Sequence, residues 1–133
     1  MIVYLDTSAL LKRVIIEPES AAVRELLSRS AAAVDLLTSS ALTWVEVERA
    51  LRRADVPDLD RLTEAALSGI DEFPLRPVVL DRARTIGPAT LRSLDAIHLA
   101  SAIGIRATQL VTYDERLAAA ARDEGIDVLA STS

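Results

Sequence analysis

Short apolar runs of three to five residues alternate with stretches of helical periodicity along the whole chain. No other feature constrains the fold as strongly: short apolar strands separated by helices pair in parallel and must be covered on both faces. Ile2-Val3-Tyr4-Leu5 reads as a buried strand, and Asp6-Thr7-Ser8 supplies capping residues before the helix that begins at Ala9-Leu10-Leu11-Lys12. Pro18 breaks that pattern, and a second helix is expected over about 20–30, with Ala22, Val23, Leu26 and Leu27 on one face. Leu36-Leu37-Thr38-Ser39 reads as the next strand. The helix beginning near Ala41 or Thr43 carries Trp44, Val47, Ala50, Leu51 and Ala54 at helical spacing. Pro57-Asp58 opens a further helix. Phe73-Pro74-Leu75-Arg76-Pro77 is too proline-rich for a central strand and predicts a short strand or an extended crossing. A helix over 78–86 stops at Gly87-Pro88. Residues 94–103 are apolar almost all round, which predicts a buried helix. A strand at 109–112, a helix at 115–123, a last short strand at 126–129 and a small polar tail complete the pattern. With 133 residues and no linker or repeat, residues 1–133 are expected to form a single domain.

Counting excludes much chemistry. The chain has no cysteine, so it holds no disulfide, thiol nucleophile or cysteine-ligated zinc, and it suits a reducing compartment. His98 is the sole histidine, which rules out a two-histidine metal site within one chain. Four glycines, at Gly69, Gly87, Gly104 and Gly125, cannot build a dinucleotide fingerprint or a Walker loop. Aromatics at 3% argue against base-stacking modules. The Met1–Asp6 opening lacks the basic stretch of a signal peptide, and no apolar run approaches the length of a membrane span. A cytoplasmic protein without membrane contact is therefore expected. Net charge is −5, with an isoelectric point near 4.9, which disfavours a generally basic nucleic-acid surface and leaves room for an acidic site that holds a cation.

Four acids stand where strands hand over to helices, the edge at which parallel sheets bind ligands. Asp6 follows the first strand and Asp114 follows Leu110-Val111-Thr112-Tyr113. Glu46 lies in the helix after the second strand, and Asp95 in the first turn of the apolar helix. Each has a plainer reading. Asp6 and Asp114 suit helix N-caps, and Thr43-Trp44-Val45-Glu46 and Thr112-Tyr113-Asp114-Glu115 both match the capping box. Asp95 complements a helix dipole. Taken together the plainer reading weakens, because Asp95 is the one acid in an otherwise apolar helix and converging carboxylates repel unless a cation joins them. Mg²⁺ or Mn²⁺ prefers such all-oxygen ligand sets, and a carboxylate site of this kind suits water activation at a phosphodiester.

Val3-Tyr4-Leu5-Asp6-Thr7-Ser8-Ala9-Leu10, Leu42-Thr43-Trp44-Val45-Glu46-Val47, Leu94-Asp95-Ala96-Ile97-His98-Leu99-Ala100 and Thr112-Tyr113-Asp114-Glu115-Arg116-Leu117 resemble, in order and spacing, the motifs of PIN domains. More narrowly they resemble the VapC toxins of bacterial type II toxin–antitoxin modules. The resemblance covers essentially the whole chain. It implies a three-layer α/β/α sandwich with a short central parallel sheet, and a Mg²⁺- or Mn²⁺-dependent endoribonuclease in which metal-activated water attacks phosphorus in line. Asp6, Asp95 and Asp114 match the metal-holding aspartates, and Glu46 matches the acid that completes the cluster directly or through water. Thr7 and Thr112 match hydroxyls that orient the metal shell. Some relatives carry a further acid where this chain has Arg116, which counts against a stable second metal. The resemblance also implies a homodimer, an RNA substrate and a cognate VapB-type antitoxin.

Arg49, Arg52 and Arg53 form a basic strip on the Glu46 helix, either a solvated face with a Glu46–Arg49 ion pair or, at Arg49 and Arg53, contacts to an RNA backbone. Arg92 is a similar candidate. His98 reads as a satisfied core histidine and not as a catalytic group. Leu10, Leu11, Leu26, Leu42, Val45 and Leu62 suit either ordinary core or an antitoxin groove. Two other functions were weighed. A phosphoaspartyl enzyme is disfavoured by Ser8, which stands where a second acid is needed, and by Lys12 as the sole lysine. A non-catalytic PIN-like binding module is the alternative to the nuclease.

Overall fold

The computed structural model describes residues 1–33 and 35–129. Five strands form one parallel sheet among them: β1 (Ile2–Leu5), β2 (Leu36–Ser40), β3 (Asp71–Phe73), β4 (Gln109–Val111) and β5 (Asp127–Leu129). The strand order is β3-β2-β1-β4-β5, with β1 in the centre, where Val3 pairs with Leu37 on one side and Gln109 on the other. The chain steps outward through β2 and β3, then returns across β1 to lay down β4 and β5. Strand order therefore reverses between β1 and β4, and such a switch point opens a crevice at the carboxyl ends of the strands.

Seven helices among the described residues cover the sheet. These are α1 (Thr7–Leu11), α2 (Ser20–Ala32), α3 (Ala41–Arg53), α4 (Leu59–Leu67), α5 (Pro77–Ala83), α6 (Ser93–Gly104) and α7 (Glu115–Asp123). Side chains of β1 alternate between the two faces. Val3 and Leu5 join Leu10, Val23, Val47 and Leu51 in one core, while Tyr4 joins Leu99, Leu110, Leu117 and Ala121 in the other. Two cores around one sheet give the covering on both faces expected from the pattern, and with it the three-layer α/β/α sandwich that the resemblance implies.

Boundaries differ from the sequence expectations in instructive places. Asp58 takes a left-handed conformation, φ 54°, so α4 starts at Leu59 and not at Pro57. The edge strand β3 ends at Phe73, just before Pro74, and the proline-rich stretch that follows is the extended crossing into α5. Gly87 has φ +72°, and a Cβ there would lie 2.9 Å from Leu91 Cδ2, so the turn toward α6 needs glycine. Helix α6 is not buried all round: Ala96, His98 and Leu99 face the core, whereas Leu94 is exposed at its first turn. The polar tail lies outside the described residues.

Candidate active site

Asp6 is built into the sheet edge. Its backbone N–H donates to the Val111 carbonyl at 3.2 Å, tying the end of β1 to the end of β4. Its side chain is 3% exposed. Oδ1 caps α1 by accepting from Ala9 N–H at 3.0 Å and also accepts from Ser8 Oγ at 2.7 Å. Oδ2 accepts from the buried Thr112 hydroxyl at 2.5 Å. Burial pushes the Asp6 carboxyl up, and the positive charge of His98 together with these bonds opposes the shift.

Asp114 caps α7, its Oδ1 accepting from Leu117 N–H at 2.9 Å, while its own N–H donates to Thr112 Oγ1 at 3.0 Å. Thr112 thus joins Asp6 and Asp114 through one hydroxyl. Both aspartates are helix caps as well as edge acids, so the two readings of these positions coexist. The capping boxes do not form. Helix α3 starts at Ala41 behind Ser40, leaving Thr43 buried inside the helix and Glu46 free of any capping duty. At α7 the cap is Asp114, and Thr112 stands outside it.

Glu46 is half-buried on α3. Its Oε1 accepts from Thr7 Oγ1 at 2.7 Å and bonds His98 Nε2 at 2.6 Å. Burial opposes its charge, but the bonds from His98 and Thr7 hold the carboxyl below the ordinary glutamate range. His98, 2% exposed, bonds the Tyr4 hydroxyl through Nδ1 at 2.7 Å. Burial disfavours its charge, yet Tyr4, Glu46 and Asp6 raise it to about 10. An imidazolium donates from both nitrogens, which frees the Tyr4 hydroxyl to donate to Ser40 Oγ at 3.0 Å. Sequence reasoning correctly placed His98 in the core but missed that it reaches Glu46; it also missed Tyr4, Ser40 and Ser8. The available signal was the spacing of Asp95 and His98, one helical turn apart.

Asp95 occupies the first turn of α6. Burial pushes its carboxyl up to about 6, Asp114 adds to the shift, and Asp6 and Glu46 contribute further, against the opposing charge of His98. Asp95 therefore feels the charge of three carboxyls that stand on three other elements. Among the described residues, no three Asp, Glu or His side chains stand close enough to share an ion in this arrangement. The donor chemistry nevertheless fits a hard divalent cation: the strand edge offers carboxylates and hydroxyls, and both nitrogens of the one imidazole are already engaged.

Arg49, Arg53 and Arg92 are exposed, and Arg92 sits at the N-cap of α6. The expected Glu46–Arg49 ion pair is not among the salt bridges of the described residues; Glu46 pairs with His98 instead. Of the apolar positions weighed for a groove, Leu10 and Leu26 are core, whereas Val45 is 56% exposed on the helix that carries Glu46.

The PIN-domain family model matches residues 3–123. Ribonuclease VapC47 of Mycobacterium tuberculosis is 43% identical over 125 residues, spanning 92% of each chain. Among solved structures, the VapBC2 complex of Rickettsia felis, bound to a DNA fragment from its promoter, superposes with a TM-score of 0.72 at 15% identity, covering 97% of this chain and 98% of that one. Mycobacterium tuberculosis VapC20, a sarcin-ricin-loop-cleaving toxin, superposes with a TM-score of 0.68 at 15% identity, covering 89% and 94%.

Proposed function

Given that this chain belongs to the PIN-domain family, we propose that it is a VapC-type toxin, an endoribonuclease that hydrolyses RNA phosphodiester bonds in the acidic crevice between β1 and β4. The observation that carries this reading is the bonded network at the strand edge: Thr112 Oγ1 donates to Asp6 and accepts from the Asp114 N–H, Thr7 bonds Glu46, and Asp95 is held above the ordinary range by burial and by all three acids. Gathered like charges destabilise a fold, and they are tolerated where a cation joins them. Asp6, Asp95 and Asp114 would hold Mg²⁺ or Mn²⁺, with Glu46 completing the set directly or through a water. Such a cation, when bound, lowers the pKa of water and offsets charge that develops on the phosphate.

The chain's own residues prepare that site. Ser8, the Ala9 N–H and Thr112 fix both oxygens of Asp6. The Leu117 N–H fixes Asp114, and Thr7 and His98 fix Glu46. Exposed Arg49, Arg53 and Arg92 offer guanidinium donors to the RNA backbone. No helix among the described residues is long and apolar enough to cross a membrane. In this reading residues 1–133 act as one domain and pair as a homodimer. A VapB-type antitoxin restrains the activity, with exposed Val45 available to it beside the site.

The test is incubation of antitoxin-free protein with total bacterial RNA in Mn²⁺, Mg²⁺ or EDTA, followed by mapping of new ends. Discrete 5′-phosphate ends that need the metal are expected. Cation binding with no cleavage of any RNA would instead make the protein a non-catalytic PIN-like module.

A further inference from the structure

Both donors that reach Glu46 land on the same oxygen. Thr7 Oγ1 and His98 Nε2 approach Oε1 at 2.7 and 2.6 Å, and among the described residues no hydrogen bond falls on Oε2. His98 is fixed from behind in turn. Its Nδ1 meets the Tyr4 hydroxyl at 2.7 Å, the two rings pack edge-on at 5.8 Å, and Tyr4 donates to Ser40 Oγ at 3.0 Å. Tyr4 is fully buried on the central strand, and Ser40 ends the neighbouring strand. A carboxylate on α3 is thus anchored, through α6, to the central strand and its neighbour β2. Apolar side chains of similar volume would fill the same space without removing a phenol, an imidazole and a hydroxyl from water. The polar chain needs a reason beyond packing, and Glu46 at its open end supplies one.

We propose that His98, held in place by Tyr4, is a positioning residue for Glu46, sharing Oε1 with Thr7 so that Oε2 is the oxygen presented to the cation or its water shell. This rests on the ribonuclease reading only in taking Glu46 as part of the cation site. The chain acts on orientation: a glutamate has three side-chain torsions, and two bonds to one oxygen leave the carboxylate a single way to face the crevice.

The test is an Mn²⁺ titration of the antitoxin-free protein, with free ion read by electron paramagnetic resonance and single-turnover RNA cleavage followed in parallel. His98→Leu should weaken Mn²⁺ binding by roughly 10–100-fold, the usual consequence of losing an outer-shell partner. His98→Gln, whose amide N–H can stand near the position of Nε2, should recover most of that loss. Tyr4→Phe should weaken binding by about threefold to tenfold. Parental affinity in a folded His98→Leu, or a His98→Gln as weak as His98→Leu, would overturn the proposal. Should His98→Leu fail to fold, Tyr4→Phe decides, and parental affinity there overturns it equally. Asp6→Asn separates the two readings. If it too binds Mn²⁺ like the parent, the cation site itself is wrong; if it alone is weakened, only the positioning role fails.

Discussion

Asp6 divides its oxygens between two tasks: Oδ1 caps a helix, and Oδ2 takes the hydroxyl that also receives the Asp114 N–H. Among the described residues no hydrogen bond supports Asp95 in this way, and burial together with Asp114 pushes its carboxyl up to about 6. The sign follows from linkage. A group that holds its proton more tightly folded than unfolded favours the fold at low pH, and it loses that contribution as pH rises from the unfolded value of 3.8 to the folded value of about 6. At pH 7 ionised Asp95 therefore weakens the metal-free fold. Asp95→Asn should raise the metal-free thermal midpoint by a few degrees, about 1 kcal/mol once solvent exposure is allowed for, while abolishing RNA cleavage. Calorimetry of both proteins at pH 7 in EDTA, beside a cleavage assay, checks both halves. The same proton competes with the cation, so Mn²⁺ affinity of the parent should fall as pH drops below about 6.

At the scale of elements, α7 carries structure and chemistry on one residue. Asp114→Ser keeps a capping oxygen and loses the charge, so stability should hold within a few tenths of a kcal/mol while cleavage is lost; Asp114→Ala should lose both, at about 1 kcal/mol. Thermal melts of the two variants, read against cleavage, separate the roles. This doubling also explains what could be read from the chain itself. Asp6 and Asp114 are legible because a strand, a cap and a helix are contiguous there, and local periodicity suffices to place them. Glu46 and Asp95 owe their recognition to motif resemblance, because capping and dipole readings suit them equally. The Tyr4–His98–Glu46 chain was not legible, since its links join residues 94 and 52 positions apart through a sheet order that no local pattern encodes. Similarly, the composition of α6 suggested complete burial, but helix placement on the sheet left Leu94 outside.

For the molecule as a whole, net charge −5 sets an electrostatic problem for any polyanionic substrate. The proposed answer lies in position: acids sit inside the crevice, and exposed arginines stand on the helices that carry them. An Arg49→Ala, Arg53→Ala double variant should bind RNA more weakly, with the slope of log affinity against log salt reduced by about 1–2. Fluorescence anisotropy over a salt series, in an Asp95→Asn background that cannot cut, measures that slope. In the proposed site, four carboxyls on four elements bind one cation at the strand-order reversal. An anomalous difference map from crystals soaked in Mn²⁺ tests it most directly. The expected result is a peak bounded by Asp6, Asp95 and Asp114, with Glu46 at contact or one water away. A peak elsewhere, or none in crystals of protein that still cleaves RNA in Mn²⁺, would contradict it.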